Sequence, residues 1–512
     1  MLVIGKRRIS LNDFNRVLYN NEKIELDKGA LKNLERGFKF IDEFSKDKVI
    51  YGISTGFGPM AQYRINRKHQ IELQYNLIRS HCSGSGDRLS DIYVKSLMLA
   101  RLNTLLQGYS GVHVSAAKLL AKLINLDIYP VIFEHGSVGA SGDLVHLAHL
   151  ALVMIGEGEV NYKGKITATS KVFEQHKLEP LKAYIREGLG MINGTSATSG
   201  IGMINVIQAK NLLSWAVMAS TMLNEIVKCY DDHFSKGLNR VKHHVGQNKI
   251  AATMRSIVKG SKLIRQRSEH LYDRKIGVNV IKEKVQEYYS IRCIPQILGP
   301  VYDTIVNCQK VLINEVNSAN DNPIIDHKSK NVFHGGNFHG DYVAFEMDKL
   351  KICITKLSML LERQLNYLMN DKINNILPPF VNLGRLGLNF GMQGAQFTAT
   401  STVAENQTLS FPMYVHSIPN NNDNQDIVSM GPNAALMAKK VIANSFEVLA
   451  IEMISIVQAI DYLEFKNRLS KSSATVYKEI RKIVPVFEQD HIKYKEIASV
   501  KDYLLERRLD LL

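Results

Sequence analysis

The sequence predicts a mainly α-helical fold, and three observations carry that prediction. The stretches 203–230, 340–371 and 433–465 are free of interior proline and glycine, and each has a recurrent apolar face. Helices of that length gain their stability by packing along their whole length in a bundle. Hydrophobic residues make up 45% of the 512, enough to fill a large core. Between the long stretches lie loops rich in Asn and Gly, where function is expected to sit on a rigid scaffold.

Taken in order, residues 1–50 read as a short helical lead-in, amphipathic around Leu11-Asn12-Asp13-Phe14 and Ile41-Asp42-Glu43-Phe44. Tyr51-Gly52-Ile53-Ser54-Thr55-Gly56-Phe57-Gly58-Pro59 is an irregular loop, given three glycines and a proline. On these residues alone, Tyr51 is either an aromatic anchor beside a turn or a phenol presented at the loop mouth. Residues 70–77 are helical and lead into Arg79-Ser80-His81-Cys82-Ser83-Gly84, and residues 94–131 are helical with breaks at Gly108 and Gly111. Gly136 to Gly142 is nearly all small residues and feeds a buried helix over 144–155, with Asp143 placed to cap it. A strand and loop excursion follows over 160–180, then a glycine-rich loop over 188–196 that contains Asn193. The end of the chain, from about Ser470, reads as charged surface helices. The domain expectation is an N-terminal domain over 1–199 and a long-helix bundle with C-terminal surface helices over 200–512.

Composition narrows the class. The net charge is +15, but the cations are dispersed in short clusters such as Lys6-Arg7-Arg8, with no nucleic-acid module, so a lysine-rich surface is expected and no nucleic-acid partner. No apolar run reaches the ~18 residues of a membrane span, and the start has no apolar signal region. Five scattered cysteines lack metal spacing and fit reduced thiols in the cytoplasm. His146 and His149 stand three apart on a helix, but no third ligand accompanies them, so helix packing is expected and no metal.

One loop can do chemistry on itself. If Ala140-Ser141-Gly142 is bent sharply, the Gly142 nitrogen can attack the Ala140 carbonyl carbon, since glycine tolerates the angles and does not shield its nitrogen. Loss of water closes a five-membered ring, and dehydration at Ser141 leaves an exocyclic methylidene. The product is a 4-methylidene-imidazole-5-one, an electrophile made from the chain. Ala-Ser-Gly alone turns up by chance in roughly one chain of this length in five, so its company decides.

That company resembles the aromatic amino acid ammonia-lyases, the group of histidine, phenylalanine and tyrosine lyases. The resemblance runs from Tyr51-Gly-Ile-Ser-Thr-Gly-Phe-Gly through Ala140-Ser141-Gly142-Asp, Ile-Asn193-Gly-Thr, Tyr289-Ser-Ile-Arg292-Cys, Asp321-Asn-Pro and Gly-Gly-Asn337-Phe338-His339 to Asn424-Gln425-Asp426. It implies the fumarase/aspartase-like long-helix fold, as a homotetramer with a central twenty-helix bundle and active sites shared among subunits. It implies elimination of ammonia from a small aromatic amino acid, through the methylidene-imidazolone and without a metal or diffusible cofactor. It further implies that Tyr51 takes the β-proton and that Arg292 binds the substrate carboxylate. Asn193, Gln286, Tyr289 and Gln425 would position substrate and support the electrophile. Phe338 would pack near the prosthetic ring, and Glu405 would face the substrate amine or ring.

The substrate signals divide. Ser80-His81 resembles the ring-reading pair of histidine lyases, whereas bacterial tyrosine lyases more often carry His-Leu and phenylalanine lyases Phe-Leu. Histidine lyases also carry Gln-Glu-Asp-His-Val-Ser-Met near the C-terminal site loop. Here the chain has Asn424-Gln425-Asp426-Ile427-Val428-Ser429-Met430, as tyrosine and phenylalanine lyases do. The longer context, with Gly58-Pro59-Met60-Ala61-Gln62-Tyr63, is similar to tyrosine lyases that keep Ser-His. The expectation is a tyrosine ammonia-lyase making 4-coumarate, with a histidine ammonia-lyase making urocanate as the alternative and an aminomutase using the same group as the third. The Gly-Ser-Ser loop of fumarase and aspartase enzymes is not found.

Overall fold

The computed structural model describes residues 1–272, 277, 279–281 and 284–512. Helices dominate, as predicted, and three long ones match the three unbroken stretches: Ser196–Ile226, Asp341–Met369 and Gly431–Tyr462. The Ser196–Ile226 helix is buried on nearly every side, not along one face, which is how a helix apolar all round behaves at the centre of a protein. The Gly431–Tyr462 helix is likewise 89% buried over its most apolar window, although by length and composition it would pass for a membrane span. A fourth long helix, Ile294–Val316, carries Pro300 inside it.

Contacts divide the chain into two compact units. The first comprises residues 1–207, 308–348 and 412–438; the second comprises 208–307, 349–411 and 439–512. In the first unit, the helices Leu11–Leu18, Lys28–Phe44, Gln70–Ser80, Asp91–Leu106, Val114–Asn125 and Leu144–Met154 surround short strands. Leu2–Ile4 pairs in parallel with Ile24–Leu26. The lead-in is therefore strand, helix, strand, helix; three-residue strands are too short for alternation to show. Ser85–Arg88 pairs antiparallel with Phe133–His135, and Ile128–Pro130, Glu159–Tyr162 and Lys165–Ala168 form a three-stranded sheet. The expected excursion over 160–180 is the hairpin of that sheet, followed by a short helix, Thr169–His176.

Two local expectations change. Residues 188–192 are not loop but part of a buried helix, Glu187–Ile192. Its glycines are there for close approach, since a Cβ on Gly188 would lie 2.5 Å from the Gln74 carbonyl oxygen and one on Gly190 2.4 Å from Val112. Asp143 does not cap the helix it precedes. Its carboxylate accepts instead from the Thr198 N–H at 2.6 Å and the Thr198 hydroxyl at 2.7 Å, capping the first turn of Ser196–Ile226. Burial pushes the Asp143 carboxyl up to about 6.

In the second unit, Ser470 caps the helix Lys471–Ile483 by accepting from the Ser473 N–H, and Tyr494–Glu506 follows. Trp215 is fully buried and donates to the Arg507 carbonyl at 3.0 Å, tying the C-terminal segment to the central helix of this unit.

Candidate active site

Ser141, the middle residue of the Ala140-Ser141-Gly142 loop, lines a cavity of about 470 Å³ in the first unit. Ala140 is buried, and Gly142 has φ +73°. Gly142 pairs with Gly194 in a parallel bridge, and the Asp143 N–H donates to the Gly194 carbonyl at 2.8 Å. A Cβ on Gly142 would fall 2.2 Å from that oxygen, so only glycine fits. Ser141 is held at two points: its hydroxyl accepts from the Gln425 amide at 2.9 Å, and its carbonyl accepts from the Asn193 amide at 2.9 Å. Asn193 ends the Glu187–Ile192 helix, and its own oxygen accepts from the Asn322 N–H at 2.8 Å. A sharp turn, an unshielded glycine nitrogen and amide donors aimed at the serine fit the ring-forming chemistry that these residues imply.

Tyr51 lines the same cavity. Its phenol oxygen accepts from the Gly58 N–H at 2.9 Å, and its ring lies edge-on to Phe57 at 6.0 Å. The far wall is the last turns of Gln70–Ser80. Leu73, Leu77 and His81 follow one another at helical spacing along the cavity, with Ser80 beside them. The His81 Nδ1 lies 2.9 Å from the Leu77 carbonyl oxygen and 3.1 Å from the Ser80 hydroxyl; in the tautomer with the proton on Nδ1, Nε2 is the acceptor of the ring. The Ser80 hydroxyl donates to the same carbonyl at 3.2 Å.

The cavity thus gathers seven of the residues singled out in the sequence: Tyr51, Ser80, His81, Ser141, Asn193, Phe338 and Gln425. It adds Asn76, Asn322, Asn421 and Asn424, and an apolar side made by Leu73, Leu77, Leu144 and Leu189. The leucine stripe was open to detection, because Leu73 and Leu77 precede His81 by eight and four residues. Asn322, Asn421 and Asn424 lie in the Asn-rich loops where function was expected, whereas Asn76 is on the helix Gln70–Ser80 and nothing in the sequence marks it.

The other predicted residues lie elsewhere. Gln286, Tyr289 and Arg292 share a separate cavity of about 760 Å³ in the second unit. There the Arg292 guanidinium donates to the Gln286 amide oxygen and stacks 4.7 Å over the Tyr289 ring, which is 70% exposed. Glu405, on the helix Gln393–Leu409, accepts from the Asn444 amide at 2.6 Å and lines neither cavity. His146 is buried with its Nδ1 2.7 Å from the Ser137 hydroxyl, and burial pushes it down to about 4. His149 accepts from the Gly84 N–H at 3.2 Å. Both histidines serve the packing around the loop.

Against known proteins, the sequence matches the family profile for aromatic amino acid lyase over residues 9–482. A tyrosine 2,3-aminomutase of Myxococcus sp. (strain Mx-B0) is 37% identical over 492 residues, covering 95% of this chain and 93% of that protein. A histidine ammonia-lyase of Shouchella clausii (strain KSM-K16) is 35% identical over 505 residues, covering 98% of each. The crystal structure of a tyrosine aminomutase from Streptomyces globisporus superposes with a TM-score of 0.95 at 35% identity, covering 98% of this chain and 96% of that one. A match of this extent agrees with the loop geometry, and the chain belongs to the aromatic amino acid lyase family.

Proposed function

We propose that the protein removes ammonia from L-tyrosine to give trans-4-coumarate, using a methylidene-imidazolone formed from Ala140, Ser141 and Gly142. The observation that carries the substrate choice is the acceptor nitrogen of His81 on the wall of the Tyr51–Ser141 cavity. A phenol hydroxyl can donate to it, while a phenyl ring would leave it unpaired. An imidazole N–H could also donate there. The segment Asn424-Gln425-Asp426-Ile427-Val428-Ser429-Met430 and the tyrosine-directed relatives favour the phenol.

The prosthetic group supplies an electrophilic carbon at Ser141 that draws electron density from the substrate. The chain does the rest. Leu73, Leu77 and Leu189 enclose the apolar part of the ring and exclude water. His81 fixes the far end of the substrate, which sets the β-carbon against Tyr51. The Tyr51 oxygen, held in place by the Gly58 N–H, takes a β-proton. Asn193 and Gln425 keep Ser141 oriented through its carbonyl and its Oγ. Arg292 pairs with the carboxylate through its planar fork. Because Gln286, Tyr289 and Arg292 line their own cavity, we assign them to a site completed between copies of the chain in a homotetramer, with Glu405 contributed in the same way.

A second reading has a specific support, the tyrosine 2,3-aminomutase name of a 37% identical relative. Elimination is shared by the two activities; a mutase holds product and ammonia long enough for re-addition at the β-carbon. The test is to offer purified protein L-tyrosine and L-histidine separately and follow product by ultraviolet absorbance and chromatography. Coumarate with free ammonia supports the proposal. β-Tyrosine as the main product establishes the mutase, and urocanate alone refutes the assignment of His81 to a phenol.

A further inference from the structure

Arg101 projects from the Asp91–Leu106 helix into the region behind the cyclising loop, and it is fully buried. Its Nη2 donates to the Gly190 carbonyl and to Asp321 Oδ1, the latter at 3.2 Å, and Asp321 is fully buried as well. The pair reaches the loop by two routes. Along one, Gly190 belongs to the short helix that leads to Gly194, where a Cβ would lie 2.8 Å from Arg101 Nη1 and 2.5 Å from Asn320 Oδ1. The other side of Gly194 is the surface against which Gly142 is pressed. Along the second, Asp321 precedes Asn322, whose N–H holds Asn193, which in turn holds the Ser141 carbonyl.

A buried ion pair is a poor stabiliser, because desolvation offsets its Coulomb attraction and an apolar replacement is often neutral. What it supplies is a fixed geometry. Here that geometry backs the one segment whose peptide groups must be brought within bonding distance.

We propose that Arg101, locked by Asp321, is a positioning residue for closure of the Ala140–Ser141–Gly142 ring, holding Gly194 and Asn193 as the rigid wall behind the loop. This rests on the proposed function, in which that ring forms. In the step concerned, a bond forms between the Gly142 nitrogen and the Ala140 carbonyl carbon. The Ala140 oxygen leaves as water with the amide protons of Gly142 and Ser141, and a carbon–nitrogen double bond to Ser141 remains. A second water then leaves with the Ser141 hydroxyl and its α-proton, giving the methylidene. No oxidant is needed.

The experiment is intact-mass spectrometry of purified full-length chain, which reads ring formation without reading turnover. Wild type should be lighter than its encoded sequence by two waters. Arg101→Met alone would leave the buried Asp321 carboxylate with only the Arg186 guanidinium as a nearby cation, so the principal variant is Arg101→Met with Asp321→Leu, which removes both members of the pair. Arg101→Lys, which keeps the charge but replaces the planar guanidinium with a compact ammonium, accompanies it. The double variant should fold, with wild-type circular dichroism and oligomer size, yet retain the full encoded mass in most molecules. Arg101→Lys should mature slowly, with both masses present in a time course after synthesis. A purely structural role would lower the melting temperature and leave the mass loss complete. Complete loss of both waters in the folded double variant overturns the proposal; should that variant not fold, wild-type maturation of Arg101→Lys does so. A wild-type chain at full encoded mass would overturn the proposed electrophile instead, so the two failures are told apart.

Discussion

His81→Leu should convert a tyrosine site into a phenylalanine site. With the His81 proton on Nδ1 and donated to the Leu77 carbonyl, Nε2 is left to accept from a ring hydroxyl. Leucine removes that acceptor. A phenol left without a partner in a closed cavity costs about 1–3 kcal/mol, which is about 5- to 150-fold in kcat/KM for tyrosine. Phenylalanine moves the other way. It no longer strands Nε2, and it meets an apolar stripe of Leu73, Leu77 and the new leucine at successive helical turns. A similar gain there moves the tyrosine-to-phenylalanine preference by about 25-fold to about 2×10⁴-fold in total. The helix end tolerates the change, because the backbone N–H of residue 81 still donates to the Leu77 carbonyl at 3.3 Å. The assay is kcat/KM for both substrates under one set of conditions, with a melting curve beside it. A preference unchanged within about threefold, or both activities falling together with stability retained, would refute the phenol–His81 contact.

Three further outcomes follow from the same geometry. Tyr51→Phe should lower kcat by about 10²–10⁴-fold while substrate still binds, measured by turnover and by equilibrium titration; unchanged kcat would remove Tyr51 as the base. Ser141→Ala and Arg292→Leu should each be inactive alone, yet refolding them together should restore about a quarter of the sites if the two residues reach one site from different copies; no recovery in a verified mixed oligomer would place both in one chain. Glu187 is buried, and desolvation pushes it up to about 7 from the ordinary 4.5 although it accepts from the His113 and Tyr184 N–H groups. The folded state therefore binds more protons than the unfolded one across that window, so stability falls as pH rises from about 4.5 to about 7, by at most about 3 kcal/mol. Glu187→Gln should flatten that fall in urea midpoints taken on either side of the window, and an unaltered slope would show that another group causes it.

What could be read from the sequence was whatever chemistry tied to a residue type at a short spacing. Ala140-Ser141-Gly142 can cyclise and Tyr51 can present a phenol at a loop mouth, but each was ambiguous alone and stood out only through the ordered set of motifs around them. The long helices were legible because a run without proline or glycine needs no partner to be recognised, although the burial of Ser196–Ile226 on every side was not. What stayed hidden depends on pairings across sequence distance. Asp143 looks like the cap of its own helix, and only the fold shows that it caps a helix starting 53 residues later, through Thr198. Gly188 and Gly190 read as a flexible loop, whereas they are small because Gln74 and Val112 press against them. Arg101 and Asp321 lie 220 positions apart, and neither belongs to a motif that announces a partner. The residues that carry the chemistry are constrained by what they are, and those that place them are constrained by what they touch. A sequence displays the first kind of constraint directly, which is why Tyr51, Ser141, Asn193 and Gln425 could be named from it and the wall behind the loop could not.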